Sequence, residues 1–303
     1  MGPAPAAPAM TDQGWLETHR GTVSRWEVDH VDHFTVAYYV ERFEHAARAL
    51  LDALGLGPRD GRACVTVDGY VRYLRELRAG DVLHVVSGVL GVDEAAVRLG
   101  HKLLSSERDA VCATFEQRVR RVALDTGAPV GLDAAQRRAA AARQVAWDGP
   151  PREARATPAD FDRVPPSARD TIRPAEVDVL GRAPLAAFVH RFSAGSGQLL
   201  SSFGMTPSYQ REQRRGFSTF EFQLEVTGAL RAGDHAVVRS ALLHVGNSSL
   251  HTCHALADGR TGARVATLHQ LGVHLDMDAR RPAPLPDALR EKARALVAGA
   301  EGG

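Results

Sequence analysis

Asp29 and Asp178 each stand a few residues ahead of a long apolar stretch with helical spacing. A carboxylate in a loop that feeds a helix can activate water or attack a carbonyl carbon directly. The free N–H groups and dipole of the helix N-terminus can hold the negative oxygen that forms. For Asp29 the donors would be the N–H groups of about residues 36–38. An Asp at such a place is also, on general grounds, a helix cap or a loop hydrogen-bonder. His33, between Asp29 and the helix, can polarise a substrate or orient Asp29, or serve as a turn histidine bonded to backbone. Asp68 and Glu221 are carboxylates on strand-like segments that otherwise read as buried on one face. Each is either part of a site or a solvated outward residue. Phe220 and Phe222 flank Glu221 and so point to the opposite face.

Other reactive side chains read as structural. His251, Cys253 and His254 are close in sequence, but they fall in an alternating strand where neighbours diverge, and no second ligand cluster at zinc spacing follows. His101 and His254 recur at equivalent strand positions, with packing as the default role. The basic run at 211–215 can meet a phosphate, since Arg recognises phosphate well, although a solvated loop is the simpler reading. No Gly-rich phosphate loop, nucleophile-elbow Ser or His-Glu-x-x-His element is present. No metal or cofactor is therefore implied.

The elements that must carry these residues come in two copies. Glu27-Val28-Asp29 recurs as Glu176-Val177-Asp178, a shift of 149, and Arg42-Phe43 recurs as Arg191-Phe192 at the same shift. Farther on, Leu77-Arg78-Ala79-Gly80-Asp81 recurs intact as Leu230-Arg231-Ala232-Gly233-Asp234, a shift of 153, so about four residues are inserted between the anchors. In the first copy a short strand is expected around Trp26. A wide apolar helix follows, through Val36, Tyr39, Val40, Phe43, Ala46, Ala47, Leu50, Leu51 and Leu54, and Gly55 ends it. Strands are expected at 64–74, 82–90, 96–105 and 111–123, and in the second copy at 217–226, 235–244, 249–257 and 263–275. One buried helix on an antiparallel sheet that curls around it is an α+β arrangement.

With 303 residues the chain has room for two such units, and 44% apolar and 24% charged residues make an ordinary globular mix. The formal net charge is +1, which argues against an electrostatic nucleic-acid or membrane-surface role. Three cysteines, none in a C-x-x-C pair, fit a reducing cytoplasm. Residues 1–14 read as a loose tail, 15–127 and 168–278 as the two copies, 128–167 as a Pro-rich linker with a short helix at 134–145, and 279–303 as a C-terminal helix (287–298) and frayed end.

This order of elements, with the residues ahead of the helix, resembles the hotdog-fold thioesterases, in which a curved antiparallel sheet wraps a central helix. Their Asp-x-x-Gly-His-x-Asn-x-x-x-Tyr type of motif is matched by Asp29, His33 and Tyr39, with Asp32 in place of the Gly and Thr35 in place of the Asn. The second copy keeps Asp178 and Gly181, but has Arg182 for the His, Pro184 for the Asn and Phe188 for the Tyr. Trp26, Asp29, His33, Ala37-Tyr38-Tyr39, Thr66-x-Asp68, Tyr73-Leu74 and Gly80-Asp81 are similar to the 4-hydroxybenzoyl-CoA and betainyl-CoA thioesterase-like branch. Thr219-Phe220-Glu221 repeats the Thr-x-acid element.

The resemblance implies a tandem (double) hotdog that pairs its two units within one chain, with further self-association left open. It implies hydrolysis of an acyl-CoA or acyl-carrier-protein thioester to the acid and free thiol, with coenzyme A entering only as part of the substrate. Asp29, Asp178 and Glu221 are the expected catalytic residues, and His33, Thr35, Tyr39 and Asp68 the expected substrate-binding ones. Thr35 and Tyr39 would line the acyl pocket, with Tyr39 mainly a core residue. Crossed pairs, Asp29 with Glu221 and Asp178 with Asp68, are implied at the seam. A hydratase or dehydratase on acyl thioesters is the rival enzyme, although no Asp-x-x-x-x-His stretch is found. A non-catalytic acyl-thioester or carrier-protein binder is the other alternative.

Overall fold

A computed structural model describes residues 14–158 and 161–297. The tail expected over 1–14, apart from Gly14, and the frayed end of the chain lie outside the described residues. Two compact units divide the chain, Met1–Pro150 and Pro151–Gly303.

In the first unit β1 (Leu16–Thr22) precedes α1 (Val36–Ala53), and β2 (Arg62–Tyr73), β3 (Val82–Val92), β4 (Ala96–Ser105) and β5 (Ala110–Ala123) follow. Their order in the sheet is β1-β3-β4-β5-β2, antiparallel throughout. A short helix α2 (Ala134–Ala141) closes the unit. The second unit repeats this plan. It contains β6 (Pro166–Thr171), α3 (Leu185–Ser202), α4 (Pro207–Glu212), β7 (Arg215–Val226), β8 (His235–Val245), β9 (Ser249–Asp258), β10 (Arg264–Asp276), β11 (Arg281–Pro282) and α5 (Asp287–Arg294). The sheet order is β6-β8-β9-β10-β7, with β11 added to β10.

The apolar stripe read from the sequence is buried on α1 at Tyr39, Val40, Phe43, Ala46, Ala47, Leu50 and Leu51; Ala37 joins it, and Val36 is only half-buried. Phe43, fully buried, meets Phe115 of β5 with ring centroids 5.3 Å apart. Burial of each large apolar side chain of this kind contributes about 1.5–3 kcal/mol. Both long helices stop at a left-handed glycine, Gly55 (φ 68) and Gly204 (φ 104). The next N–H reaches back, Leu56 to the Leu51 carbonyl at 2.8 Å and Met205 to that of Leu200 at 3.0 Å, as a glycine-terminated helix end requires.

The structure adds detail at three points. The strand expected around Trp26 lies earlier, at β1, and Trp26 sits in a 3₁₀ turn over Arg25–Glu27 with its ring 78% exposed. The four inserted residues are now accounted for: eight residues join α1 to β2, twelve join α3 to β7, and the longer connection holds α4, capped by the Thr206 hydroxyl. The stretch read as a linker is divided between the units, and its helix belongs to the repeat. α2 and α5 occupy equivalent positions, each followed by a parallel bridge to the equivalent strand of its unit, Gln144 to Val89 of β3 and Val297 to Leu242 of β8.

Candidate active site

The residues ahead of each long helix form the same small loop in both units. Asp29 Oδ1 accepts the N–H groups of Val31 and His33, both at 3.0 Å, and the Asp29 N–H donates to the His33 carbonyl at 2.9 Å. Asp178 Oδ1 accepts from Leu180 (2.8 Å) and Arg182 (3.2 Å), and its own N–H donates to the Arg182 carbonyl. The loop turns through a left-handed residue, Asp32 (φ 62) in one copy and Gly181 (φ 69) in the other. Asp tolerates that conformation better than most residues, so Asp32 keeps the turn without a glycine.

The repeated Leu-Arg-Ala-Gly-Asp segment explains itself here, because it clasps the loop. The N–H of Phe34 donates to the Leu77 carbonyl (2.7 Å), while Val23 and the 80–81 pair exchange two bonds of 2.8 and 2.9 Å. Ala183 to Leu230 (2.8 Å), and Ile172 with the 233–234 pair, repeat this in the second unit. A buried ion pair fixes the loop's other side. Arg42, on the second turn of α1, donates to Glu27, whose other oxygen accepts the Ser24 N–H at 2.7 Å. Arg191 holds Glu176 in the same way, at 3.1 and 3.3 Å. Desolvation opposes the charge of Glu176, but hydrogen bonds from Arg173 and Arg191 prevail and hold its pKa down to about 2.

Asp29 is half-buried, and its Oδ2 makes no hydrogen bond among the described residues. At the start of α1, Thr35 is the N-cap residue without a side-chain capping bond, and the Tyr38 N–H closes a tight turn to the Thr35 carbonyl at 2.9 Å. That leaves the N–H groups of Val36 and Ala37 without an acceptor among the described residues, which narrows the expected donors to two.

His33 steers Asp29 through its backbone N–H, and its ring turns elsewhere. Nε2 lies 3.0 Å from Glu76 Oε1, and Glu76 Oε2 lies 3.6 Å from Arg78 Nη2. Tyr39 is a core residue: its ring lies tilted against Phe34 at 4.5 Å and edge-on at 5.3 Å against Tyr73, and its hydroxyl reaches the Arg75 carbonyl at 3.4 Å. Burial pushes its phenol well above the usual range. Asp68 and Glu221 sit at equivalent β-bulges, where Val67 and Phe220 drop out of the ladder with the neighbouring strand. A bulge re-aims the side chains beside it. Glu221 is buried, and its Oε1 accepts from Arg155 Nη2 (2.8 Å) and Nε (3.1 Å) and from Gln223 Nε2 (3.3 Å).

A polar chain beneath each helix escaped the sequence reading. Thr18, Ser87, His101, Gln117 and Thr66 link β1, β3, β4, β5 and β2 through contacts of 2.7, 2.6, 2.9 and 2.9 Å. Ser167, Ser240, His254, Gln270 and Thr219 repeat it at 2.7, 2.7, 3.1 and 2.7 Å. Both histidines are fully buried, and burial lowers their pKa to about 3 (His101) and about 4 (His254), so they are neutral. Each chain ends on the Thr of the Thr-x-acid bulge. Its signal was the recurrence of the histidines, read only as packing.

His251 and Cys253 face away from His254, and His251 Nε2 contacts His269 Nδ1 at 3.1 Å. Among the described residues no three His, Cys, Asp or Glu side chains are placed to hold a metal ion. In the basic run, Arg214 pairs with Asp278 (2.8 Å) and Arg215 with Asp276 (3.1 Å). Among the described residues no helix is long and apolar enough to cross a membrane.

Two helix-on-antiparallel-sheet units, each with an Asp loop at the helix N-terminus, define a tandem hotdog protein of the thioesterase type. The family model of the thioesterase-like superfamily matches residues 23–146 and again 172–293, and the chain belongs to that superfamily, carrying its unit twice. Among curated proteins, the L-carnitine dehydrogenase/betainyl-CoA thioesterase of Agrobacterium fabrum is 30% identical over 138 residues, which is 45% of this chain and 28% of that protein. The betainyl-CoA thioesterase of Pseudomonas aeruginosa is 27% identical over 114 residues, 36% of this chain and 72% of that protein. The chain thus matches little more than a quarter of the length of the first relative. Among solved structures, an acyl-ACP thioesterase from Bacteroides thetaiotaomicron aligns with a TM-score of 0.65 and 11% identity, over 84% of this chain and 96% of that one. The 12:0-ACP thioesterase from Umbellularia californica gives the same score and identity, over 84% and 93%. At that identity the likeness shows the fold.

Proposed function

We propose that the chain hydrolyses an acyl thioester to the acid and free thiol, with Asp29 as the acting carboxylate. The observation that carries this reading is that Asp29 Oδ2, in the loop ahead of α1, and the Val36 and Ala37 N–H groups, in its first turn, are all left without a hydrogen-bond partner among the described residues. Oδ2 takes a proton from water, and the water oxygen bonds to the carbonyl carbon. The carbonyl oxygen becomes an oxyanion that accepts from the two N–H groups. The C–S bond then breaks, and the thiolate takes the proton back and leaves. Direct attack by Oδ2, through an anhydride that water opens, uses the same donors. His33 and Thr35 would flank the acyl group, and Tyr39 would back it. No cofactor enters the scheme; coenzyme A or a carrier protein is part of the substrate. Relatives named for betainyl-CoA support CoA thioesters as the first substrates to try.

The test is free-thiol release from short, long, aromatic and trimethylammonium acyl-CoAs by the wild type, Asp29→Asn and Asp178→Asn. Asn keeps an oxygen for the loop N–H groups but removes the base, so turnover should fall at least about 100-fold in Asp29→Asn, the lower range for a positioned acid or base. A folded wild type that releases no thiol from any CoA or carrier-protein thioester would overturn the reading.

A further inference from the structure

The two Asp loops have the same backbone and opposite electrostatics. In the first unit the ring of His33 and the guanidinium of Arg78 both lie against Glu76, at 3.0 and 3.6 Å. In the second unit the equivalents are Arg182, Ala229 and Arg231: the histidine has become an arginine and the acid has become an alanine. The neutralising carboxylate is gone, and a second guanidinium takes the place of an imidazole.

Arg182 is half-buried, and its backbone N–H is committed to Asp178 Oδ1. Arg231 hangs over the same turn, with Nη1 3.8 Å from where a Cβ on Gly181 would stand. Among the described residues neither guanidinium has an acidic partner within ion-pair distance or a hydrogen-bond acceptor. Desolvation, then the like charge of Arg231, pulls the Arg182 guanidinium down, against the attraction of Asp178. The other arginines of the unit that border this loop are held differently: Arg173 and Arg191 both pair with Glu176.

We propose that the second repeat's loop is an oxyanion-binding site in which Arg182 and Arg231 together hold a carboxylate or phosphate group, and that it is not a second hydrolytic centre. Two adjacent guanidiniums beside one carboxylate carry a net positive charge that an anion offsets. Planar N–H forks suit a carboxylate or phosphate in two-point contact. Gly181 leaves the space above the turn without a side chain. The anion is either an end of the thioester substrate or its acid product, and this part rests on the proposed thioesterase activity. Anion binding itself does not.

The test is calorimetric titration of the full chain with inorganic phosphate, acetate, coenzyme A and 3′-dephospho-coenzyme A. The variants are Arg182→Gln, Arg231→Gln and the double change Arg182→His with Ala229→Glu, which restores the first unit's pattern. Arg211→Gln is the control, because among the described residues the Arg211 guanidinium hydrogen-bonds only Ser208, in its own helix. Circular dichroism checks folding, and each single variant keeps the backbone N–H bond of its own loop. Binding should weaken at least about tenfold in both single variants and in the double variant, and hold in the control. Preference for coenzyme A over its 3′-dephospho form would name that phosphate as the source, and saturable acetate binding would name a carboxylate. Absence of saturable anion binding, or equal affinity in wild type and Arg182→Gln, would overturn the proposal. Thiol release is measured separately, so a wild type that binds anions and never turns over would sink the activity reading alone.

Discussion

Arg42 reaches from the second turn of α1 to the carboxylate of Glu27, two residues ahead of Asp29, and Arg191 repeats the pair with Glu176 at the same separation of fifteen residues. The side chains of Arg42 and Glu27 are 11% and 6% exposed, so their charges are set largely in protein. Removing one partner of such a pair strands the other, at a cost of about 3–5 kcal/mol, whereas replacing both with apolar residues is close to neutral. Arg42→Met is therefore expected to lose about that much stability in denaturant melts. The Glu27→Met, Arg42→Met double variant should recover most of it while turnover stays low, because the Asp29 loop has lost its anchor. Simple addition of the two single effects would contradict this.

The His33 ring lies against Glu76, its Nε2 3.0 Å from Oε1. His33→Asn keeps the backbone N–H that Asp29 Oδ1 accepts, so the loop survives and the ring's contact with Glu76 is lost. We expect His33→Asn and Glu76→Gln each to lower kcat/KM about tenfold, corresponding to about 1.4 kcal/mol. The double variant should fall little further, since the two residues share one interaction. Fully multiplicative losses would separate them.

Most of the frame was legible because it rests on periodicity. The α1 stripe, the four strands that follow the long helix in each unit and the glycine stop of α1 are local signals, and the duplication doubled them. The repeated anchors Glu27, Arg42 and the Leu77–Asp81 segment were visible as pattern, but their meaning needed coordinates, because they meet around one loop from three separate elements. Likewise nothing in the spacing of Thr18, Ser87, His101, Gln117 and Thr66 shows that five strands bring them into line. Glu221 read as a site carboxylate. Its partner Arg155 lies in a Pro-rich stretch without periodicity, so the ion pair could not be foreseen.

The buried histidines set an acid limit on stability. His101 and His254 are fully buried, with pKa values lowered by burial to about 3 and about 4, against about 6.5 in the unfolded chain. The unfolded state therefore binds more protons below pH 6.5, and stability falls as pH drops from about 6.5 towards 4. Each histidine contributes up to about 1.4 kcal/mol per pH unit in that window. Glu176, lowered to about 2, acts at lower pH: the stability it contributes above about 4.5 is lost as pH falls towards 2. Guanidinium melts at pH 7 and pH 5 should show the histidine effect, and His101→Gln should flatten part of the slope. A pH-independent midpoint across that range would contradict the buried neutral histidines.

Glu221 offers the sharpest separation of structure from chemistry. Its side chain is 6% exposed and that of Arg155 16%, with Arg155 Nη2 2.8 Å from Oε1. Gln223, which also donates to Oε1, is held in turn by the Glu153 carbonyl at 2.6 Å. A structural ion pair predicts that Arg155→Met and Glu221→Gln both destabilise, by about 3–5 kcal/mol for the arginine loss, which leaves a buried carboxylate unpaired. It also predicts that Glu221→Gln retains most of its kcat once measured well below its melting temperature. A direct role in the reaction predicts the reverse: Arg155→Met keeps turnover at low temperature, while Glu221→Gln loses it with little change in the melt. Each variant therefore needs both a denaturant midpoint and a thiol-release rate. The geometry of the Oε1 contacts places the expectation with the first pattern, with the base confined to Asp29.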